Sequence, residues 1–216
     1  MVTDAERSTD SDAATPSKRL PADMRRQQLV EVSLSLFAER GFNATTMDDI
    51  AEAAGVTKPL LYQHFASKRA LYLELVDSVA QTMLDAIGKA VAAAVGPRQQ
   101  VESGFAAYFH VVVTHADAFQ LLFGSDVPND PELSRAMRQV EKSIAEAIDL
   151  LIDAGLDEDH RRLLAYAVVG MAEGASRHFL AARHPSGADP HEAEARVLAR
   201  RLADLAWAGL RSVHPD

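Results

Sequence analysis

The chain has no cysteine among its 216 residues, which removes disulfides, thiolate metal ligands and cysteine nucleophiles from consideration. Aromatic residues make up only 6% while hydrophobic residues together reach 48%, so a core must be built mainly from aliphatic side chains. No alternation of Val, Ile, Thr and Tyr persists, which argues against a sheet. No apolar run approaches the ~20 residues needed to span a bilayer. The first residues carry acids before any base and lack an apolar stretch, unlike a secretory leader. The expected compartment is the cytoplasm, with no membrane partner. Bases are scarce as well: 22 Lys and Arg face 31 Asp and Glu, for a formal charge of −9. That total bears on solubility and leaves room for a local basic surface. No Ser-His-Asp order, phosphate-binding glycine loop or pair of buried carboxylates can be argued, so neither an enzyme nor a cofactor is expected.

What the chain does contain is helical periodicity. Residues 1–20 are Ser, Thr, Asp and Ala ending in Lys18-Arg19, a composition expected to stay disordered. From Asp23, Leu29, Val32, Ser33, Leu36 and Phe37 recur at spacings of three and four until Gly41 stops the helix. Thr45 is expected to cap a short helix, with Asp48 completing a capping box and Met47, Ile50, Ala51 and Ala54 facing inward. Gly55 breaks it. A third short helix opens at Thr57 and runs to Phe65, with Pro59 tolerated in its first turn. Ser67 caps a longer fourth helix through Leu71, Leu75 and Val79. Five more helices follow between breakers at Gly96-Pro97, Pro128 to Pro131, Gly155 and Pro185 to Pro190. The expectation is an all-α chain of about nine helices: a tail over 1–20, a head over 21–67 and a helical body over 68–216.

The stretch from Thr45 to Val76, TTMDDIAEAAGVTKPLLYQHFASKRALYLELV, reads as two short helices joined by a tight turn. Ala51 must be small where the second helix crosses it, and Gly55 supplies a positive φ without strain. Val56 and Leu61 fill the wedge between the helices. This is the layout of a helix-turn-helix, whose second helix enters the major groove of double-stranded DNA. Its outward residues suit that partner. Lys58 and His64 donate to phosphates or base edges, Tyr62 offers a hydroxyl to phosphate, and Gln63 reads a base edge. Pro59 and Leu60 give apolar contact to thymine methyls. Lys68 stands in the first turn of the next helix, where backbone N–H groups also attract phosphate.

The run FAERGFNATTMDDIAEAAGV followed by LYQHFASKRAL resembles the DNA-binding domain of the TetR/AcrR family of regulators. The resemblance covers the first quarter to third of the chain. It implies a three-helix DNA-binding head on a helical body that dimerises and holds an inducer. Carried over by position, the groove-facing residues fall on Lys58, Pro59, Leu60, Tyr62, Gln63 and His64. The phosphate contacts fall on Thr45, Thr46, Tyr62 and Lys68. Leu60 departs from the family pattern, standing where a small or hydroxylated residue is common, so the recognised sequence does not follow by analogy.

In the body, Leu164, Val168, Met171, Ala175 and Phe179 lie at helical spacing beside Leu202, Leu205, Trp207 and Leu210 on the last helix. Their apolar arc is wider than a lone monomer needs, which predicts a homodimer through the last two helices. The homodimer would read a palindromic operator. A small apolar effector is expected among Phe105, Tyr108, Phe109, Val112, Phe119, Phe123, Met137, Ile144 and Met171. An aromatic stripe at this spacing equally describes plain core; the resemblance favours a cavity. A long acyl chain or its coenzyme A thioester is the expected ligand, an aromatic drug-like molecule its rival. No metal is expected. His110 and His115, like Glu173 and His178, stand five apart and diverge, whereas helical metal pairs use i, i+4; Glu173 and Arg177 read as an ion pair. The reading is a ligand-responsive repressor, with an activator, or a lipid carrier whose head is silent, as alternatives.

Overall fold

The computed structural model describes residues 21–123, 130–152, 155–181 and 191–214. The expected disordered tail therefore lies outside the described residues. Nine helices and no strand occur among them: α1 Ala22–Arg40, α2 Met47–Ala53, α3 Lys58–His64, α4 Lys68–Ala92, α5 Pro97–Thr114, α6 Ala116–Phe123, α7 Pro131–Asp149, α8 Glu158–Ala181 and α9 His191–Leu210. No helix among the described residues is long and apolar enough to cross a membrane.

The head is α1 to α3 closed by the start of α4. Leu29, Phe37, Ile50, Leu61, Phe65 and Leu71 are buried together there. Phe37, Phe42 and Tyr72 form a ring cluster with centroids 5.0–5.9 Å apart. Burial pushes the Tyr72 phenol up to about 12, so it remains a neutral core group. The turn between α2 and α3 rests on Gly55, whose φ is +63°. A Cβ there would meet no atom within 4 Å, so the requirement is for backbone conformation and not for space. The Val56 N–H donates to the Ala51 carbonyl at 2.9 Å, which holds α3 across α2.

One boundary differs from expectation. The cap of α2 is Thr46, whose hydroxyl accepts from the Asp49 N–H at 3.2 Å while Asp49 returns a carboxylate to the Thr46 N–H at 2.7 Å. The Thr46 hydroxyl, which also donates to that carboxylate, and then the Thr46 N–H hold the Asp49 carboxyl below the ordinary aspartate range. Thr45 and Asp48, the expected box, lie one residue early.

In the body, α4 and α5 form one hairpin, α7 and α8 another, and α9 lies mainly along α5. The α5–α9 contact uses small residues: Ala195, Ala199, Ala203 and Ala206 are all buried, so the helix axes approach closely. α4 starts beside α3 and runs the length of the body, and α5 returns along it towards α6, which packs on α1. Asp130 caps α7, and its carboxylate also accepts from Arg69 at the start of α4.

Candidate functional site

On α3 the side chains of Lys58, Pro59, Tyr62 and Gln63 are exposed, Leu60 and His64 are half-buried, and Leu61 is buried. The spacing of 58, 59, 62 and 63 puts the exposed set on one face, opposite the anchor Leu61. The Lys58 ammonium sits 2.7 Å from a carboxylate oxygen of Asp48 on α2, and the hydrogen bond to Asp48 holds its pKa above the ordinary lysine value. Tyr62 is 44% exposed, far more than a packing role in the head would leave it. Thr46 is exposed, its hydroxyl engaged in the α2 cap.

Two expected phosphate contacts are engaged within the chain, one of them buried. Thr45 is wholly buried, and its hydroxyl donates to the Gly41 carbonyl at 2.9 Å. It fixes the loop before α2 and cannot reach a ligand outside. The Lys68 ammonium donates to the carbonyls of Phe42 at 2.5 Å and Thr45 at 2.7 Å, and lies 4.4 Å from the centre of the Phe42 ring. Burial lowers its pKa, and its charge is spent on carbonyls left over between α1 and α2. Lys68 thus pins the loop that presents α2 and α3.

Sequence reasoning missed Arg26. Its guanidinium bonds Glu74 through two nitrogens at 2.8 and 3.0 Å, donates to the His64 carbonyl at 2.8 Å, and stacks 4.4 Å from the Phe65 ring. It thereby sets the C-terminal end of α3 against α1 and α4. Nothing in the spacing of Arg26 and Glu74, 48 residues apart, signals the pair.

The body holds a partly open cavity of about 410 Å³, within the ordinary range for small-molecule sites. α4 contributes Val76, Val79, Ala80, Met83, Ile87 and Val91; α5 contributes Gln100, Val101, Gly104, Phe105 and Tyr108. α7 adds Met137, Val140, Ile144 and Ile148, α8 adds Val168, Val169, Ala172 and Glu173, and α9 adds Ala206, Trp207 and Leu210. A neighbouring hollow of about 350 Å³ shares Ile87, Val91, Gln100, Ile144, Ile148 and Leu151 with it, at the end remote from the head.

Of the expected ligand residues, Phe105, Tyr108, Phe119, Met137 and Ile144 line the cavity. Phe109 and Val112 are buried in the core packed behind it, and Met171 is half-buried in the same core. The Phe123 side chain lies outside the described residues. Of the expected dimer residues, Val168, Trp207 and Leu210 face the cavity. Leu164, Ala175, Phe179 and Leu202 are half-buried, and only Leu205 stands clear, at 61% exposure. The outward residues of α8 and α9 are offset from that set: Leu163 (67%), Tyr166 (37%), Ala167, Gly170 and Gly174 on α8, with Val197 and Ala208 on α9. Among the described residues no group of three potential ligands is placed to hold a metal.

A helix-turn-helix head with an exposed face on its second helix, set on a helical body with a cavity, is the architecture of a DNA-binding transcriptional regulator. The model for "Bacterial regulatory proteins, tetR family" matches residues 29–75. HTH-type transcriptional activator FasR of Mycolicibacterium smegmatis is 29% identical over 197 residues, which is 90% of this chain and 87% of that protein. HTH-type transcriptional repressor KstR2 of Mycobacterium tuberculosis is 35% identical over 91 residues, 42% of this chain and 46% of its own. The structure of FadR from Bacillus subtilis in complex with stearoyl-CoA superposes with a TM-score of 0.71 at 14% identity, covering 85% of this chain and 98% of that one. Residues 29–75 thus carry the DNA-binding domain of tetR-family transcriptional regulators, and the likeness to such a regulator extends over 90% of the chain.

Proposed function

We propose that the protein is a homodimeric, ligand-responsive regulator that binds a palindromic operator and releases it when a long apolar effector fills the body. The observation that carries this reading is a shared wall. Val76, Val79, Met137 and Val140 pack on the core of the head and also line the cavity. A ligand that displaces these side chains must disturb the seat of α1 to α3, since packed interiors transmit strain instead of absorbing it. α4 and α7 therefore couple occupancy to the angle of α3. A coupling of ~1–3 kcal/mol changes DNA affinity about 5–150-fold.

The elongated, mainly apolar lining suits an acyl chain, and a protein of the same fold, FadR, has been solved with stearoyl-CoA. A coenzyme A moiety is too polar to enter and would remain at the mouth, beside Gln100 and Arg211. For dimerisation, Leu163, Tyr166, Gly170, Gly174, Val197 and Leu205 supply an outward apolar face with small residues for close helix approach. A second reading, activation by the ligand, is favoured by the 90% coverage in the match to the activator FasR; the match to the repressor KstR2 covers 42% of the chain.

Fragments of genomic DNA selected by the purified dimer at near-physiological salt would first give the operator. Titration of hexadecanoyl-CoA against that operator then tests the rest. Weaker DNA binding supports repression, stronger binding supports activation, and unchanged binding with an unchanged melting temperature sinks the acyl effector.

A further inference from the structure

One wall of the cavity does not match an unsubstituted hydrocarbon. Glu173, in the middle of α8, lines the space with its side chain only 17% exposed. Among the described residues its carboxylate accepts no hydrogen bond; its cation, Arg177, stands off at 3.8 Å on the outer surface. Burial, and to a lesser degree the neighbouring Glu141, push its carboxyl up, with Arg177 opposing them. Across the cavity wall stands the Tyr108 hydroxyl, 3.2 Å from Ser176 Oγ. Ser176 gives its proton to the Ala172 carbonyl at 2.9 Å, so Tyr108 is the donor of that pair and does not serve Glu173.

The topology fixes where this polar spot lies. α4 runs away from the head and α5 returns, so Gln100 marks the remote end and Tyr108 the end near α6 and the head. Arg211, just after α9, lines the cavity together with Gln100, whereas Glu173 shares its end with Tyr108 and Phe119. An acyl chain whose charged group stays at the Gln100 and Arg211 end points its far end towards Glu173. Pressing a plain methyl terminus against a carboxyl strips that group of water and returns no hydrogen bond.

We infer that Glu173 is a specificity-determining residue that selects effectors bearing a hydrogen-bond donor, such as a hydroxyl, at the inner end of the apolar chain. The inference rests on the acyl reading above and narrows its ligand class. A site built to bond a hydroxyl rejects the analogue that lacks it, because its own polar group is then left unpaired.

The test compares hexadecanoyl-CoA with ω-hydroxyhexadecanoyl-CoA on the full-length protein, by calorimetric titration and by release from the selected DNA. The hydroxylated ligand is expected to bind roughly tenfold more tightly, the equivalent of one good hydrogen bond. Glu173→Leu should abolish that preference by strengthening the plain chain. Glu173→Gln, which keeps an acceptor oxygen and has the same size, should retain it. Equal binding of the two ligands by the native protein overturns the inference and leaves the acyl reading intact. A preference that survives in Glu173→Leu also overturns it. Binding of neither ligand removes the acyl reading, and this inference with it.

Discussion

Arg26 on α1 and Glu74 on α4 are joined by two hydrogen bonds of 2.8 and 3.0 Å, and the same guanidinium holds the last carbonyl of α3. One side chain thus ties α3 to the helix that walls the cavity. Its energetic weight comes from the set of contacts. Both partners are more than a third exposed, so the ion pair alone contributes ~1 kcal/mol or less. With the carbonyl bond and the Phe65 ring lost as well, Arg26→Ala is expected to destabilise the protein by about 1–2 kcal/mol, read from chemical denaturation.

The same pair sets an acid-side pH dependence. The hydrogen bond from Arg26 holds the Glu74 carboxyl below its ordinary value. A depressed folded-state pKa means that the folded protein binds this proton less readily than the unfolded chain does. The stabilisation is therefore present above the ordinary glutamate range and disappears as the pH falls through the depressed value. Melting temperature plotted against pH should fall less steeply on the acid side in Glu74→Gln. An identical acid limb in that variant would show that Glu74 is not part of the response.

Two lysines that look alike in the sequence should behave differently. Lys58 is exposed and, among the described residues, paired with Asp48, a partner it can exchange for phosphate. Lys58→Ala should weaken operator binding and lower the slope of log K against log salt by about one. Lys68 already serves the carbonyls of Phe42 and Thr45. Lys68→Met should lower stability and leave the salt slope as it was. A slope change in Lys68→Met equal to that of Lys58→Ala would mean that the ammonium leaves the loop to meet DNA.

The contrast explains how much of this protein was legible beforehand. Helix order, the Gly55 turn and the Ser67 cap follow from local chemistry, and each lies where the periodicity puts it. The cap of α2 did not, because Thr45-Asp48 and Thr46-Asp49 both satisfy the capping-box spacing and only burial decides between them. Periodicity likewise shows which face of a helix is covered, but not whether a side chain or empty space covers it. Trp207 and Leu210, expected at the interface, line the cavity, and Phe109, expected in the pocket, lies in the core behind it. The second stripe of α4, from Val76 through Val79, Met83 and Ile87, was the available signal for the cavity, since it runs on well past the head.

For the dimer face, Gly170 offers a cleaner probe than a charge. It lies on the open side of α8, and a Cβ there would meet no atom of the chain within 4 Å. Within a monomer, Gly170→Leu should cost nothing and gain up to ~1 kcal/mol of helix propensity. Against a closely approaching partner helix the same side chain has no room. Sedimentation should show a folded monomer of undiminished helicity, and a full complement of dimer would place the interface elsewhere.

The cavity can be tested by closing it. Ala80 lines it from α4, half-buried, and a larger side chain there points into space instead of into a neighbour. If the space is real, Ala80→Leu should melt at the same temperature as the native protein or higher, because added apolar surface finds contacts without displacing others. If the site were close-packed core, the same change would cost about 1–3 kcal/mol from overpacking. The second readout is DNA binding. The filled variant should hold the operator as the native protein does, yet lose most of its response to hexadecanoyl-CoA. Retained stability with lost response is the joint result that neither a plain core residue nor a damaged head would give, since a core residue would fail the first measurement and a damaged head the second.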